Sequence, residues 1–353
     1  MKNKNLNKFI YKTLIVSFPF LLFLLLYIIL DPFKVIHGYP PFYKKGNVVD
    51  INRDYVSTTT YEKQYQKYRY DSFIFGNSRS RFYEISDWQK YLPSNSSCYH
   101  FDASGESLYG IYKKILYIDQ KGGSLNNVLI IADTDALAKD KSLEGHLFII
   151  SPQLENNKNF IKFHTTSFKV FCYYKFLYAF LDYKISGKVK DYMRDNLLLD
   201  DDLFDYNQTT NEIRLLDAEE KIGKATYYTS KKLFEFHRLQ GDFLFESVIK
   251  DSQKQMFEKI KQIFTKHHTN YRIVISPQYD QIKFNPEDLR YLEDLFGKDF
   301  VFDFSGRNIL TENYKNFYDK FHYRPQVTKQ IMAIIYQTDS AKRANMIKAL
   351  GIK

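Results

Sequence analysis

The chain has little with which to staple itself or to clamp a metal. Its 353 residues hold two cysteines, Cys98 and Cys172, too few for a disulfide framework. Cys98 opens a strand-like segment and Cys172 falls in an aromatic helical stretch, so both are expected as buried thiols. The eight histidines show no metal-ligand spacing, and neither a metal nor another cofactor is expected. No repeat period and no low-complexity tract interrupts the chain. The formal net charge is +10, yet the lysines are scattered. Without a basic helix, zinc-finger spacing or RNA-binding signature, nucleic acid is not an expected partner. What is present is a folding composition, 44% hydrophobic and 26% charged, which excludes a disordered chain.

The first thirty residues set the compartment. Lys2, Lys4, Lys8 and Lys12 precede an apolar run, and from Leu14 to Leu30 seventeen consecutive residues carry no charge. With Phe9 to Tyr11 the stretch approaches the ~20 residues that cross a bilayer. It ends in Tyr-Ile-Ile-Leu-Asp-Pro, with bulky residues where a signal-peptide cleavage site needs small ones. An uncleaved signal anchor is therefore expected. The basic tail would lie in the cytoplasm by the positive-inside tendency, placing the rest of the chain beyond the inner, cytoplasmic membrane as a single-pass protein.

Past the anchor, short apolar segments alternate with helical ones. The strand candidates are 72–76 (SFIFG), 98–104 (CYHFDAS), 127–135 (NVLIIADTD), 271–278 (YRIVISPQ) and 300–306 (FVFDFSG). Helical stretches are expected from 77 through Tyr91, at 107–120, from about Ser247 to His267, at 285–297 with Asn285 as cap and Pro286 at the first position, and at 324–338. This alternation indicates an α/β fold, a flavodoxin-like doubly wound parallel sheet of about five strands. The expected division is a tail (1–12), an anchor (13–31), a stalk or wrapping segment (32–69) punctuated by Pro40-Pro41 and Gly46, an α/β domain (70–139 and 246–340), and a mostly helical insertion or cap (140–245). The insertion holds an aromatic stretch, 167–185, and an acidic one, 197–206. Lys169, Lys175 and Asp182 argue against a second span. The aromatic stretch reads either as a helix packed on the core or as one lying on the membrane or lining a substrate groove.

In such sheets ligands bind beyond the carboxyl ends of the strands. Those positions hold Asn77-Ser78, Ser104-Gly105, Asp133 to Asp135, Ser276 to Gln278 and Ser305-Gly306. Ser78 stands where a strand passes into a helix, as a nucleophile whose own N–H helps stabilise an oxyanion, or as a plain helix cap. Late in the chain, 318–325 (YDKFHYRP) contains Asp319 and His322. A spacing of three lets both side chains leave one face of a turn, the carboxylate orienting the imidazole. Ser, His and Asp together supply a nucleophile, its base and the group that orients the base.

The blocks FIFGNSRS, DASGES and DKFHY resemble those of SGNH/GDSL-type hydrolases. They are most similar to the membrane-anchored extracytoplasmic branch that includes alginate acetylation proteins and the D-alanine transfer protein of teichoic acid modification. The resemblance covers about residues 70 to 135 and 270 to 338, plus the anchor. It implies Ser78 as nucleophile, His322 as general base and Asp319 as its orienter. Ser78 and Gly105 would donate backbone N–H groups to the oxyanion, although Gly105 also reads as a turn glycine. Secreted members carry Gly-x-Asn-Asp after the third strand, whose Asn completes the oxyanion hole. Here the same place reads Ala132-Asp133-Thr134-Asp135. These carboxylates are expected to point away, to bind something else, or to mark a different chemistry. Arg79 and Arg81 are candidates to offset that charge and to bind an anionic glycan.

The implied function is a membrane-anchored serine acyl esterase or acyltransferase acting on an acylated cell-surface glycan or related envelope polymer of a bacterium. The alternative is a catalytically weak or inert glycan-binding module, or an accessory to a membrane O-acyltransferase.

Overall fold

The computed structural model describes residues 2–39, 41–44, 48–195, 197–199, 205–234, 236–238 and 240–352. Pro40, Gly46 and residues 200–204 of the acidic stretch thus lie outside the described residues. The chain divides into two units. One comprises residues 1–51, 145–147 and 158–201, the other 52–144, 148–157 and 202–353.

The larger unit is built on five parallel strands: β1 (Ser72–Gly76), β2 (Cys98–His100), β3 (Asn127–Ala132), β4 (Asn270–Ile275) and β5 (Val301–Asp303). Their order is β2-β1-β3-β4-β5, the flavodoxin-like arrangement expected from the alternation. Ser72 is in register with Cys98 on one side and Asn127 on the other, and Gly76 lies opposite Ile131. Every residue of β1 and β3 is buried. That is why these strands read as continuous apolar runs rather than as alternating ones.

Successive side chains serve opposite faces of the sheet. Phe73, Phe75, Val128, Ile130, Ile273 and Ile275 point to one core, packed with α1 (Arg53–Tyr68), α2 (Leu108–Gln120), α3 (Asp251–Lys266) and α4 (Pro286–Phe296). Ile74, Leu129, Ile131, Val274 and Phe302 point to the other, with Trp88 and α5 (Pro325–Ile335). Tyr61 of α1 fastens the first core, stacking on Phe101 at 5.3 Å and meeting Phe73 edge-on at 5.9 Å. Residues 53–68, expected in a stalk or wrapping segment, form a helix of the sheet unit.

Several elements are shorter than their apolar patterning suggests. β2 stops at His100 because Asp102 turns inward to the guanidinium of Arg53. α3 begins at Asp251, since the Ser247 hydroxyl and the Val248 N–H both donate to Asp288 at 2.7 Å. The stretch through Tyr91 is a 3-10 turn (Ser78–Phe82), one helical turn (Ile85–Trp88) and a second 3-10 turn (Gln89–Tyr91). The insertion adds an antiparallel pair, Asp205–Asn207 with Glu212–Arg214.

The smaller unit contains the N-terminal helix, Lys2–Leu30. Its segment Leu6–Leu30 is long and apolar enough to cross a membrane, with a mean hydropathy of 2.7 over its most apolar 18 residues. The aromatic stretch forms two helices, Phe160–Phe171 and Tyr174–Ser186. Cys172 lies at their junction and is exposed, whereas Cys98 is buried. The expectation of two buried thiols thus fails at Cys172, because the helix ends one residue before it.

Candidate active site

β1 and β3 lie side by side at the point where the strand order reverses, and the polar residues just past their ends, Asn77 and Asp133, meet there. Gly76 ends β1. A Cβ on it would lie 2.5 Å from the Ile131 carbonyl oxygen and 2.9 Å from the Ser80 Cβ, so only glycine lets the following turn fold back so closely. The cap of that turn is Asn77, whose side-chain oxygen accepts from the Arg79 N–H at 3.0 Å. Ser78 is thereby released from a capping role. It is the first residue of a 3-10 turn, where backbone N–H groups have no intrahelical acceptor.

The partner arrives 244 residues later. His322 Nε2 is 2.8 Å from the Ser78 hydroxyl oxygen. Its Nδ1 lies 2.9 and 3.0 Å from the two oxygens of Asp319. An ionised carboxylate only accepts, so Nδ1 carries the hydrogen and Nε2 presents its lone pair to the serine hydroxyl. Asp319 is itself held in place, accepting the N–H groups of Phe321 and His322 at 2.8 and 3.0 Å. Burial pushes its pKa up, but the hydrogen bond and charge of His322 and the Phe321 N–H outweigh burial and bring it below the usual value. Phe82 packs edge-on against the imidazole at 5.9 Å. The three side chains remain partly exposed, as groups that must meet a ligand require.

Asp133 sits at the end of β3, and its carboxylate is fully engaged. Asn77 Nδ2 donates to Oδ2 at 2.5 Å, the Arg79 guanidinium pairs with the same oxygen, and Oδ1 accepts the Ala136 N–H at 2.9 Å. Arg79 also donates from Nε to the Phe321 carbonyl at 2.8 Å, which joins the serine turn to the histidine loop. Of the alternatives that the sequence leaves for this carboxylate, binding something else is the one observed.

Arg81 turns to the other side. Its Nε lies 3.1 Å from Asp102 and its terminal nitrogen 2.9 Å from the Ser104 hydroxyl. Asp102 is fully buried and also receives Arg53 at 2.7 Å, with His100 Nδ1 at 3.4 Å. Burial raises its pKa, while Arg53, His100 and Arg81 together hold it well below the usual carboxylate range. His100 Nε2 donates to the Ser80 carbonyl at 2.8 Å. The serine turn is thus anchored to β2 as well as to β3.

Gly105 follows β2 with φ of +60°, a left-handed conformation that favours glycine. A Cβ there would meet the Phe148 ring at 3.2 Å. The Ala103 N–H donates to the Gly76 carbonyl at 3.2 Å, drawing the segment after β2 alongside the end of β1. Just beyond it, Glu106 and Asp54 both pair with Lys114, all three buried.

The structure therefore joins Ser78, His322 and Asp319 in one hydrogen-bonded line. It engages Arg79 and Arg81 with the internal carboxylates of Asp133 and Asp102. Sequence reasoning missed the roles of Asn77, His100 and Asp102, and the bracing of the histidine loop by the insertion. There the Tyr228 hydroxyl donates to the Phe317 carbonyl at 2.8 Å, and Glu219 accepts from Arg324 at 2.9 and 2.6 Å. The Asn77 cap had a local signal, an Asn at the strand-to-turn junction. The others are contacts between residues far apart in the chain. Among the described residues no group of His, Cys, Asp and Glu is arranged to hold a metal ion. Comparison of the sequence with models of known protein families and with curated proteins returns no match.

Proposed function

We propose that this chain is a membrane-anchored serine acyl esterase or acyltransferase of the SGNH/GDSL type, acting on acylated envelope polysaccharide. The observation that carries the reading is the relay from Ser78 through His322 to Asp319, with spacings of 2.8 and 2.9 Å. In the first half-reaction the Ser78 oxygen attacks the ester carbonyl carbon and its proton passes to His322 Nε2. Asp319 stabilises the resulting imidazolium. The tetrahedral oxyanion is met by the Ser78 N–H at the start of its turn, with Gly105 as the second backbone donor. Collapse breaks the bond to the leaving alcohol, which takes the proton from His322. In the second half-reaction water or a sugar hydroxyl gives its proton to His322 and attacks the acyl carbonyl carbon; collapse breaks the bond to the Ser78 oxygen, which takes the proton back from His322 as the acid or the new ester departs.

The substrate class follows from the compartment. A basic tail ahead of Leu6–Leu30 favours a cytoplasmic N-terminus, which leaves the reactive site facing envelope polymers rather than metabolites. The test is labelling of the full-length, detergent-solubilised protein with a fluorophosphonate, alongside hydrolysis of a simple acetyl ester. Ser78→Ala should abolish the adduct and His322→Ala should slow it by orders of magnitude. No Ser78-dependent adduct together with no ester turnover would sink the enzyme reading and leave a binding or accessory module.

A further inference from the structure

The smaller unit carries an apolar face that its own core does not use. In the helix Tyr174–Ser186, Phe176, Ala179 and Phe180 are buried. Tyr174, Tyr178, Leu181 and Ile185 are 69%, 66%, 39% and 88% exposed. Their spacing of four, three and four residues puts them in one stripe along the helix. Tyr173, Tyr174, Tyr178 and Tyr192 line a groove of about 740 Å³ together with Lys175 and Asp195. From 158 to 190 there are seven lysines and one acidic residue, with Lys175, Lys184 and Lys188 exposed on this helix and just past its end.

The neighbouring helix bears on what covers this stripe. Phe168, in Phe160–Phe171, packs edge-on against both Phe20 and Tyr27 of the N-terminal helix, at 5.7 and 5.4 Å. Phe171 meets Tyr27 at 5.3 Å. Phe20 lies ten residues, or about 15 Å, inside the Leu30 end. The segment Leu6–Leu30 has 25 residues, and about 20 fill the hydrocarbon core. At most five residues, roughly 7 Å, can then project at the Leu30 end. A ring that touches Phe20 consequently sits at or below the level of the lipid headgroups.

We propose that the helices Phe160–Phe171 and Tyr174–Ser186 lie in the interfacial layer of the bilayer that Leu6–Leu30 crosses, with the Tyr174, Tyr178, Leu181 and Ile185 stripe facing lipid. Tyrosines with an apolar ring and a wet hydroxyl suit that layer, and flanking lysines reach anionic headgroups. The proposal rests on reading Leu6–Leu30 as a span, and its test separates the two. The full-length chain, with Cys172→Ser to remove the exposed thiol, receives one new cysteine at a time: Leu181→Cys, Ile185→Cys, or Val16→Cys inside the span. Each is labelled with an environment-sensitive nitrobenzoxadiazole dye and reconstituted into protein-free vesicles of phosphatidylcholine with a minority of phosphatidylglycerol.

Dyes at positions 181 and 185 should emit at shorter wavelength than in water and be quenched by lipids doxyl-labelled near the headgroup. The dye at 16 should be quenched by lipids labelled deep in the chain. Aqueous emission at both 181 and 185 with deep quenching at 16 would overturn the interfacial placement while leaving the span intact. Aqueous emission at 16 would overturn the span and the proposal with it. Shielding of 181 and 185 in native membranes but not in pure lipid would overturn the lipid contact in favour of a protein neighbour.

Discussion

Arg79 fastens the carbonyl of Phe321: its Nε donates at 2.8 Å while its terminal nitrogen is paired with Asp133. One guanidinium thus spans the end of β3, the serine turn and the histidine loop. Lysine's donors all radiate from one nitrogen and do not reproduce the separated, planar Nε and terminal donors that Arg79 uses here. The arginine beside the nucleophile therefore positions its base.

Replacing Arg79 by Met should cost both stability and reactivity. It leaves Asp133, 1% exposed, without its cation, and breaking one side of a buried pair typically costs about 3–5 kcal/mol. Arg79→Lys should recover part of the stability but little of the fluorophosphonate labelling rate, because the Phe321 carbonyl loses its donor. Urea unfolding and labelling kinetics on the same samples check both. Equal recovery of the two would reduce Arg79 to a charge partner.

Asp319→Asn tests the orienter. Its carboxylate assigns the hydrogen to Nδ1 of His322, and an amide can present its NH2 group there and reverse the tautomer. Ester hydrolysis should fall by about 10²–10⁴ in kcat with KM nearly unchanged. Because Asp319 has its pKa held below the usual value, the stability it provides is complete above about pH 4 and is lost as pH falls through its folded pKa. The Asn variant should therefore unfold with a weaker dependence on acid.

Gly76→Ala probes the turn. The added methyl would lie 2.5 Å from a backbone oxygen, which cannot swing aside as a flexible side chain can. Overpacking of this kind costs about 1–3 kcal/mol. Any shift moves Ser78 away from His322, so labelling should slow further than the loss of folded protein explains. Thermal melting followed by labelling of the folded fraction separates these effects. Unaltered labelling would mean that the turn tolerates displacement.

The sequence exposed the sheet and the reactive line because both are carried by short, local patterns. β1 and β3 carry the apolar runs 73–75 and 128–132 with polar residues following each strand, and Asp319 and His322 lie three residues apart. The bracing around them is encoded nowhere locally. Arg53 and Asp102 are 49 residues apart, and Asn211, which accepts from Arg53 at 3.0 Å, is 158 away from it. A buried charge looks in sequence like any solvated one until the fold surrounds it. The segment 53–68 was hard to read for the opposite reason. Its buried stretch from Val56 to Tyr61 is mostly Ser and Thr, so it lacks the apolar stripe by which packed helices are recognised.

Glu106, next to Gly105, gives the pH dependence a second sign. It is buried beside Lys114 and Asp54, and burial raises its pKa to about 7 against the opposing pull of Lys114. Its unfolded value is near 4.5, so between these limits the folded chain binds more protons than the unfolded one. Stability from this group is present below about pH 4.5 and is lost as pH rises toward 7. Asp102, held well below the ordinary range, acts in reverse, and its contribution is lost as pH falls below about 4. Substituting Glu106→Gln removes the first dependence and leaves the second. Measured by urea unfolding from pH 4.5 to pH 7, the stability of the variant relative to the parent should rise with pH. A flat difference across that window would mean that Glu106 stays ionised against Lys114 throughout.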